Sequence, residues 1–187
     1  ISMFIQMRLN PLPGDPIQTA SAMLTRGRIL AIKGLGGFHL AVRAGDAEAV
    51  EELRRRKRRD RRPFAVMVRD LAAARSLVTL SDAAEDLMRS PACPIVLAPR
   101  RPGAAIADSV APNMHRLGLM LPYTPMQHLL FAADPAIGPV VMTSANVTGE
   151  PLVIDNDDAI RRLSPLCDAI LWHDRPIERR VDDSVFI

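Results

Sequence analysis

Short apolar runs of strand length alternate with capped helical segments along most of this chain, and no other feature constrains its fold as strongly. Internal repeats do not interrupt the alternation. Strands that alternate with helices are typical of an α/β domain in which helices pack on an open sheet. The predicted strands are residues 28–33, 38–42, 64–68, 94–97, 117–121, 139–142, 169–172 and 184–187.

The segments between these strands carry helix start signals. Asp15 followed by Pro16 is an N-cap with proline at the first helical position. Asp46, Asp70 and Ser81 are equivalent caps, because their side-chain oxygens can accept from free amides of the first turn. The predicted helices are residues 16–26, 47–53, 71–77, 82–89, 126–130 and 157–163.

Length and composition indicate one globular domain. A chain of 187 residues buries roughly 70% of its unfolded surface. Residues 1–14 contain prolines and no periodic pattern, so we expect a linker or the tail of a preceding module there, and the domain over 15–187. No apolar run approaches the ~20 residues of a membrane span, so a cytoplasmic protein without membrane contact is expected. Cys93 and Cys167 lie far apart and indicate neither a disulfide nor a zinc site.

A run of cations is the most unusual local feature. Residues 54–62 place eight cations in nine positions, between a predicted helix and a predicted strand, although the net charge of the chain is only +3. Of the 24 basic residues 22 are arginine, and the lysines Lys33 and Lys57 indicate weakly that a compact ammonium is needed there. The run is either a solvated helix end that complements the helix dipole or a phosphate site.

A second candidate site, residues 143–149, begins where an apolar strand ends. Open α/β sheets bind ligands at the carboxyl ends of strands, and hydroxyl, carboxamide and amide groups suit phosphate oxygens. The alternative is a polar turn that satisfies its own backbone. The glycine loop at 34–37 permits either close approach of a ligand or a sharp turn, and it lacks the spacing of the dinucleotide and P-loop motifs.

Lys57-x-Arg59 together with Ser144-x-Asn146 resembles the paired KxR and SxN signature of the YrdC-like family. Within that family, five stretches resemble the HypF-type branch, in the same order and nearly without interruption over residues 15–187. This resemblance implies an open, twisted, mixed α/β sheet with helices packed on it. The stretches are AIKGLGGFHLAV (31–42), RRKRRDRRPFAVMV (55–68), LGLMLPYTPMQHLL (117–130), VMTSANVTGEPLVIDND (141–157) and HDRPIERRVDDSV (173–185).

The resemblance also implies a reaction. YrdC-like proteins bind ATP and make carbamoyl-type adenylates, and the HypF-type domain would couple carbamate to ATP, with Mg²⁺ on the phosphates and loss of pyrophosphate. Lys57 and Arg59 are the implied catalytic residues, and Lys33 and His39 are assigned to the carbamoyl end. The implied phosphate-binding residues are Lys57, Arg59, Arg62, Thr143, Ser144, Asn146, Arg180 and Ser184.

Two details of this assignment stay open. Arg62 stands where the HypF-type pattern usually has lysine, which keeps the charge but changes the donor geometry. No protein metal site is expected, although Asp182 or Asp183 could equally bind a metal.

The implied partners are the acylphosphatase, zinc-finger and carbamoyl-transfer modules of HypF-type proteins and the acceptor protein HypE, so an isolated domain is expected to depend on them. One alternative is threonylcarbamoyl-adenylate synthesis for tRNA modification, against which KGLGGFH argues, because those relatives have a PTET-type loop there. Another is a double-stranded RNA-binding module that uses a basic face. With 4% aromatic residues, readout of single strands is not expected.

Overall fold

One mixed sheet runs through the computed structural model, which describes residues 1–7, 10–146, 150–181 and 184–186. Its strands are β1 (Met3–Met7), β2 (Asn10–Pro11), β3 (Leu30–Lys33), β4 (Phe38–Arg43), β5 (Ala65–Met67), β6 (Ile95–Pro99), β7 (Arg116–Met120), β8 (Val140–Ser144), β9 (Ala169–His173) and β10 (Val185–Phe186). Their spatial order is β10-β6-β7-β5-β8-β4-β3-β9-β1-β2.

Parallel and antiparallel neighbours are mixed in this sheet. β3 runs parallel to β9, β5 to β7 and β6 to β10, and the other neighbouring pairs are antiparallel. The predicted mixed α/β sheet is therefore confirmed. Each predicted strand is present with its ends within two residues of the prediction, except that residue 187 lies outside the described residues.

Four of the helices in the described residues begin at the predicted caps. The Asp15 and Asp46 carboxylates accept from the Gln18 and Ala49 amides at 2.9 and 3.0 Å. Asp70 and Ser81 cap their helices in the same way. The helices are α1 (Pro16–Thr25), α2 (Ala47–Lys57), α3 (Leu71–Leu77), α4 (Asp82–Arg89), α5 (Pro125–Ala133) and α6 (Asn156–Leu163).

Helix α2 is longer than predicted. Residues 54–57 continue the helix, and Arg58 ends it in the left-handed conformation with φ of 53°. Arginine and lysine favour helices and complement the negative C-terminal end of the helix dipole. The basic run therefore begins as a helix, and its side chains point in several directions around the helix axis.

Helices cover both faces of the sheet. Helices α2, α3, α4 and α6 pack on one face, where Val50 and Leu53 of α2 are fully buried. Helices α1 and α5 pack on the other face through Leu24 and Leu130. Each of these buried side chains contributes about 1.5–3 kcal/mol to stability. In the described part of the chain, no helix has the length and apolarity needed to cross a membrane.

The N-terminal residues belong to the sheet. Strand β1 pairs antiparallel with β9, Ile5 is buried, and the Phe4 ring stacks on Trp172 with centroids 4.5 Å apart. Residues 3–7 and 10–11 are thus strand residues, whereas the sequence predicted a linker over 1–14. Local sequence signals missed this because the strand is stabilised by pairing with residues 170–173, at the far end of the chain.

A crossing segment, residues 174–181, leaves the end of β9 and requires the sheet to curve. The Val181 amide donates to the Gly36 carbonyl, and the Ile95 amide of β6 donates to the carbonyl of nearby Ser184. A flat sheet would separate Gly36 from Ile95 by roughly 30 Å, whereas the chain from 181 to 184 spans at most about 14 Å. The sheet is therefore curved, so that Gly36 and Ile95 lie closer together than they would on a flat sheet.

Candidate functional site

Lys57 and the turn after β8 form one hydrogen-bonded cluster. Lys57 is the last residue of α2 and is 1% exposed. Its ammonium donates to the Ser144 carbonyl, to the Asn146 carbonyl at 2.8 Å and to Asn146 Oδ1 at 2.9 Å. The Ser144 hydroxyl donates to the same Oδ1 at 2.8 Å. The two motifs predicted to meet in one site are therefore in direct contact. Residues 147–149 of the predicted turn lie outside the described residues.

This cluster has unusual electrostatics. Burial of the ammonium, and secondarily the nearby charge of Arg59, lower the pKa of Lys57 to about 8. Within the described residues, the hydrogen-bond partners of the ammonium are all neutral oxygens, and no carboxylate is among them. The protons of Lys57 are thus taken by the turn, while its positive charge is not neutralised by an acid in this part of the chain.

The cations next to Lys57 on the helix and those after it on the loop have different surroundings. Arg55 and Arg56 point away from the Lys57 cluster and form ion pairs with Glu52, and Arg56 also pairs with Asp168 at 2.9 Å. These two hydrogen-bonded arginines hold the pKa of Glu52 at about 2. They fit the first of the two alternatives for the basic run, a solvated helix end.

The basic loop, residues 58–63, carries the four cations that follow Lys57 in the sequence. The Arg59 guanidinium lies over the Phe64 ring, 5.2 Å from its centroid, and donates to the Pro63 carbonyl at 2.8 Å. Burial and the charges of Arg54 and Arg62 lower the pKa of Arg59. Arg62 is exposed. Arg59 and Arg62 thus present positive charge from the loop that follows Lys57.

The predicted site residues on β4 and β8 do not all lie on the same face of the sheet. His39 lies directly across from Ser144 in the sheet, so their side chains share a face, whereas Thr143 pairs with Leu40 on the opposite face. His39 and Thr143 are 9% and 7% exposed. The structure therefore places His39, and not Thr143, on the Ser144 side of the sheet.

Lys33 does not lie with His39. Ile32 is the partner of His39, so the adjacent Lys33 points to the other face of the sheet. Its buried ammonium donates to Asn156 Oδ1 at 2.7 Å and to the carbonyls of His173 and Arg175 at 3.0 and 2.7 Å. All three ammonium protons are used, and burial lowers the pKa of Lys33. Lys33 and His39, predicted to share one carbamoyl end, therefore lie on opposite faces of the sheet, because neighbouring strand residues face opposite ways.

Arg180 and Ser184 lie on and beside the crossing segment. Arg180 Nε donates to the Leu152 carbonyl at 2.9 Å, and Ser184 joins β6 through its main chain. Among the described residues, neither forms a hydrogen bond with the Lys57 cluster. Asp182 and Asp183, the alternative metal ligands, lie outside the described residues.

The glycine loop owes its composition to contacts within the chain. A Cβ atom on Gly36 would lie 2.3 Å from the Val181 carbonyl oxygen, and one on Gly34 would lie 2.9 Å from the His39 ring. Real Cβ atoms do not approach other atoms this closely. Of the two interpretations left open, close backbone approach applies, but the approaching group is the crossing segment.

Gly36→Ala should therefore destabilise the protein. We expect the free energy of unfolding to fall by about 1–3 kcal/mol, the usual cost of overpacking. Thermal unfolding followed by circular dichroism measures this change. Gly37→Ala is the comparison variant, because its Cβ would come no closer than 3.3 Å, to Leu152 Cβ, a tight contact that requires a much smaller shift. Equal losses in the two variants would contradict this account of the crossing segment.

Sequence reasoning overlooked two residues that shape the basic loop. Arg54 was one of eight similar cations, and Phe64 was assigned only to a buried strand. In the structure the Phe64 ring is 2% exposed and lies against the guanidinium groups of both Arg54 and Arg59. An aromatic residue directly after a basic run is a signal that could have indicated this stacking.

Three comparisons with known proteins show what this chain is similar to. A model of the Sua5, YciO and YrdC family, described as "Telomere recombination", matches residues 22–186. Carbamoyltransferase HypF of Rhodobacter capsulatus is 54% identical over 174 residues, which are 93% of this chain and 23% of that protein. A crystal structure of full-length HypF in its phosphate- and nucleotide-bound form matches with a TM-score of 0.93 and 41% identity, over 98% of this chain and 24% of that one.

A solved structure with lower sequence identity also has a similar fold. P. abyssi Sua5 complexed with L-threonine has a TM-score of 0.80 at 16% identity and covers 93% of this chain and 52% of that one. At this identity the match concerns the fold alone. The chain spans about a quarter of the length of the HypF proteins that it matches.

Proposed function

The chain belongs to the Sua5–YciO–YrdC family, and from this premise we propose that it is the domain of a HypF-type carbamoyltransferase that converts carbamate and ATP to carbamoyl-adenylate and pyrophosphate. The observation that carries the proposal is the contact of Lys57 with Ser144 and Asn146, which lie 87 and 89 positions away. A long-range junction of a cation with a hydroxyl and a carboxamide suits a phosphate group.

In the proposed reaction a carbamate oxygen attacks the α-phosphorus of ATP. A new oxygen–phosphorus bond forms, and the bond to pyrophosphate breaks with its electron pair leaving on pyrophosphate. Two anions have to meet, so the main tasks of the protein are positioning and charge neutralisation. Arg59 and Arg62 would bind the triphosphate, while Lys57 adds its charge and holds the Ser144–Asn146 turn in place.

Mg²⁺ would reach this site on the phosphates of ATP. Among the described residues, no group of three or more His, Cys, Asp or Glu side chains could hold a metal ion. This fits Mg²⁺, which commonly keeps water and phosphate oxygens as ligands and takes few from protein. When bound, it would neutralise phosphate charge.

The carbamate end of the site would lie on the His39 side of the sheet. His39 is the cross-strand neighbour of Ser144, so a group bound beside the turn would lie within its reach. Lys33 is an unsuitable ligand, because its ammonium is already fully hydrogen-bonded on the other face. We therefore retain His39 and remove Lys33 from the proposed carbamate site.

The remaining HypF-type modules would complete the pathway. We propose that an acylphosphatase module supplies carbamate from carbamoyl phosphate and that a transfer module passes the carbamoyl group to HypE, during cytoplasmic maturation of nickel–iron hydrogenase. The coverage of about a quarter of each HypF relative leaves room for such modules.

Carbamate-dependent exchange of labelled pyrophosphate into ATP tests the proposal. The chain is mixed with ATP, Mg²⁺ and either ammonium carbamate or L-threonine plus bicarbonate, so that carbamate supply does not depend on another module. We expect exchange with carbamate alone. Exchange that required threonine would instead indicate threonylcarbamoyl-adenylate synthesis, and the absence of exchange with both would contradict adenylate formation.

A further inference from the structure

The guanidinium of Arg54 lies at the centre of a cage of main-chain carbonyl groups. It comes from the last turns of α2 and gathers oxygens from two loops that are not adjacent in sequence. The acceptors are Ser109 O at 2.5 Å, Arg59 O at 3.0 Å, Asp60 O at 3.3 Å, Arg62 O at 3.1 Å and Val110 O at 3.2 Å. Three of the five belong to the basic loop.

The Phe64 ring adds a second constraint. Arg54 Cζ lies 4.4 Å from the ring centroid, and the Arg59 guanidinium lies over the same ring. The Phe64 amide donates to the Val110 carbonyl, which also accepts from Arg54. The position of Arg59 therefore depends on the same contacts that hold Arg54.

No ion pair neutralises Arg54 within the described residues, in contrast to Arg55 and Arg56 on the same helix. Burial lowers the pKa of Arg54, but a guanidinium stays charged at physiological pH. Its planar fork can serve several carbonyls at once, which the single ammonium of lysine cannot do with the same geometry. The cage thus requires arginine specifically.

We propose that Arg54 is a positioning residue: it sets the conformation of the basic loop and so aims Arg59 at the bound triphosphate. The second half of this statement depends on the proposed function, while the first half concerns the loop alone. The two halves can be tested separately.

Limited trypsin digestion tests the loop directly, because the loop contains cleavage sites after Arg58, Arg59 and Arg61. The variants are Arg54→Met and Arg54→Lys, with Arg55→Met as the matched control from the exposed side of the helix. Digestion is performed where circular dichroism shows each variant fully folded. We expect cleavage in the loop about tenfold faster for Arg54→Met, an intermediate rate for Arg54→Lys and the wild-type rate for the control.

The same variants are then compared in the carbamate-dependent exchange assay. We expect the KM for ATP to rise about tenfold in Arg54→Met with kcat within about twofold of wild type, since loop order affects binding of the triphosphate. Loop cleavage equal to that of Arg55→Met would overturn the positioning role. A loosened loop with an unchanged KM would refute the link to Arg59. Loosening in a protein whose wild type shows no exchange would leave the loop assignment intact and refute the proposed function.

Discussion

Lys57→Met should lower carbamate-dependent pyrophosphate exchange at least a hundredfold. The substitution keeps the length of the side chain but removes the charge and the hydrogen bonds to Ser144 and Asn146. Removal of one preorganised group that stabilises charge in a transition state typically lowers the rate about 10²- to 10³-fold. Steady-state exchange kinetics at saturating carbamate measure the effect.

Arg55→Met is the control for this variant, because Arg55 lies two positions before Lys57, on another side of the helix, and pairs with Glu52 at the surface. Its exchange rate should stay within about twofold of wild type. Exchange by Lys57→Met at more than half the wild-type rate would exclude an essential role for the cluster. If the domain instead served to bind double-stranded RNA, Lys57→Met would weaken RNA binding by only one phosphate contact.

In the wild type, the KM for ATP in the exchange reaction should depend on pH through the ionisation of Lys57. Since the pKa of Lys57 is about 8 in the free protein, the ammonium is charged below that pH and attracts the triphosphate. Above it, the neutral form predominates, and the KM for ATP should rise by up to about tenfold for each further pH unit. In Lys57→Met this rise should be absent. A KM that stayed constant in the wild type between pH 7 and 9.5 would contradict the assignment.

Lys33→Met should cause a large loss of stability. The free energy of unfolding should fall by about 3 kcal/mol, because three partly buried acceptors would lose their charged donor at about 1 kcal/mol each. The acceptors are Asn156 Oδ1 at the start of α6 and two carbonyls at the start of the crossing segment. Urea unfolding followed by circular dichroism measures the loss.

Arg28→Met provides the matched comparison, since Arg28 is an exposed cation just before the same strand β3. Its free energy of unfolding should change by less than about 0.5 kcal/mol, as is usual for surface positions. A Lys33 variant as stable as the Arg28 variant, with exchange activity lost, would restore Lys33 to the carbamate site. Loss of stability alone would establish it as an anchor of the crossing segment.

Much of the local structure was readable from residue order. The carboxylates of Asp15, Asp46 and Asp70 cap helices as predicted, because capping depends on residues only three positions apart. The apolar runs became strands because their alternation with helices leaves few other ways to bury them. The paired KxR and SxN motifs, recognised through a family resemblance, predicted that Lys57 and Ser144 would meet, and they do.

Tertiary structure decided which side chains could act together. Lys33 and His39 flank one loop in sequence, yet the two-residue period of the strands turns them to opposite faces. The cations of one run belong to surface ion pairs, a carbonyl cage and the Lys57 cluster. They separate because the helix continues through residue 57, and successive side chains of a helix point in different directions around its axis. The sequence located the positive charge, but the directions of Arg54, Arg56 and Lys57 depended on partners more than fifty positions away.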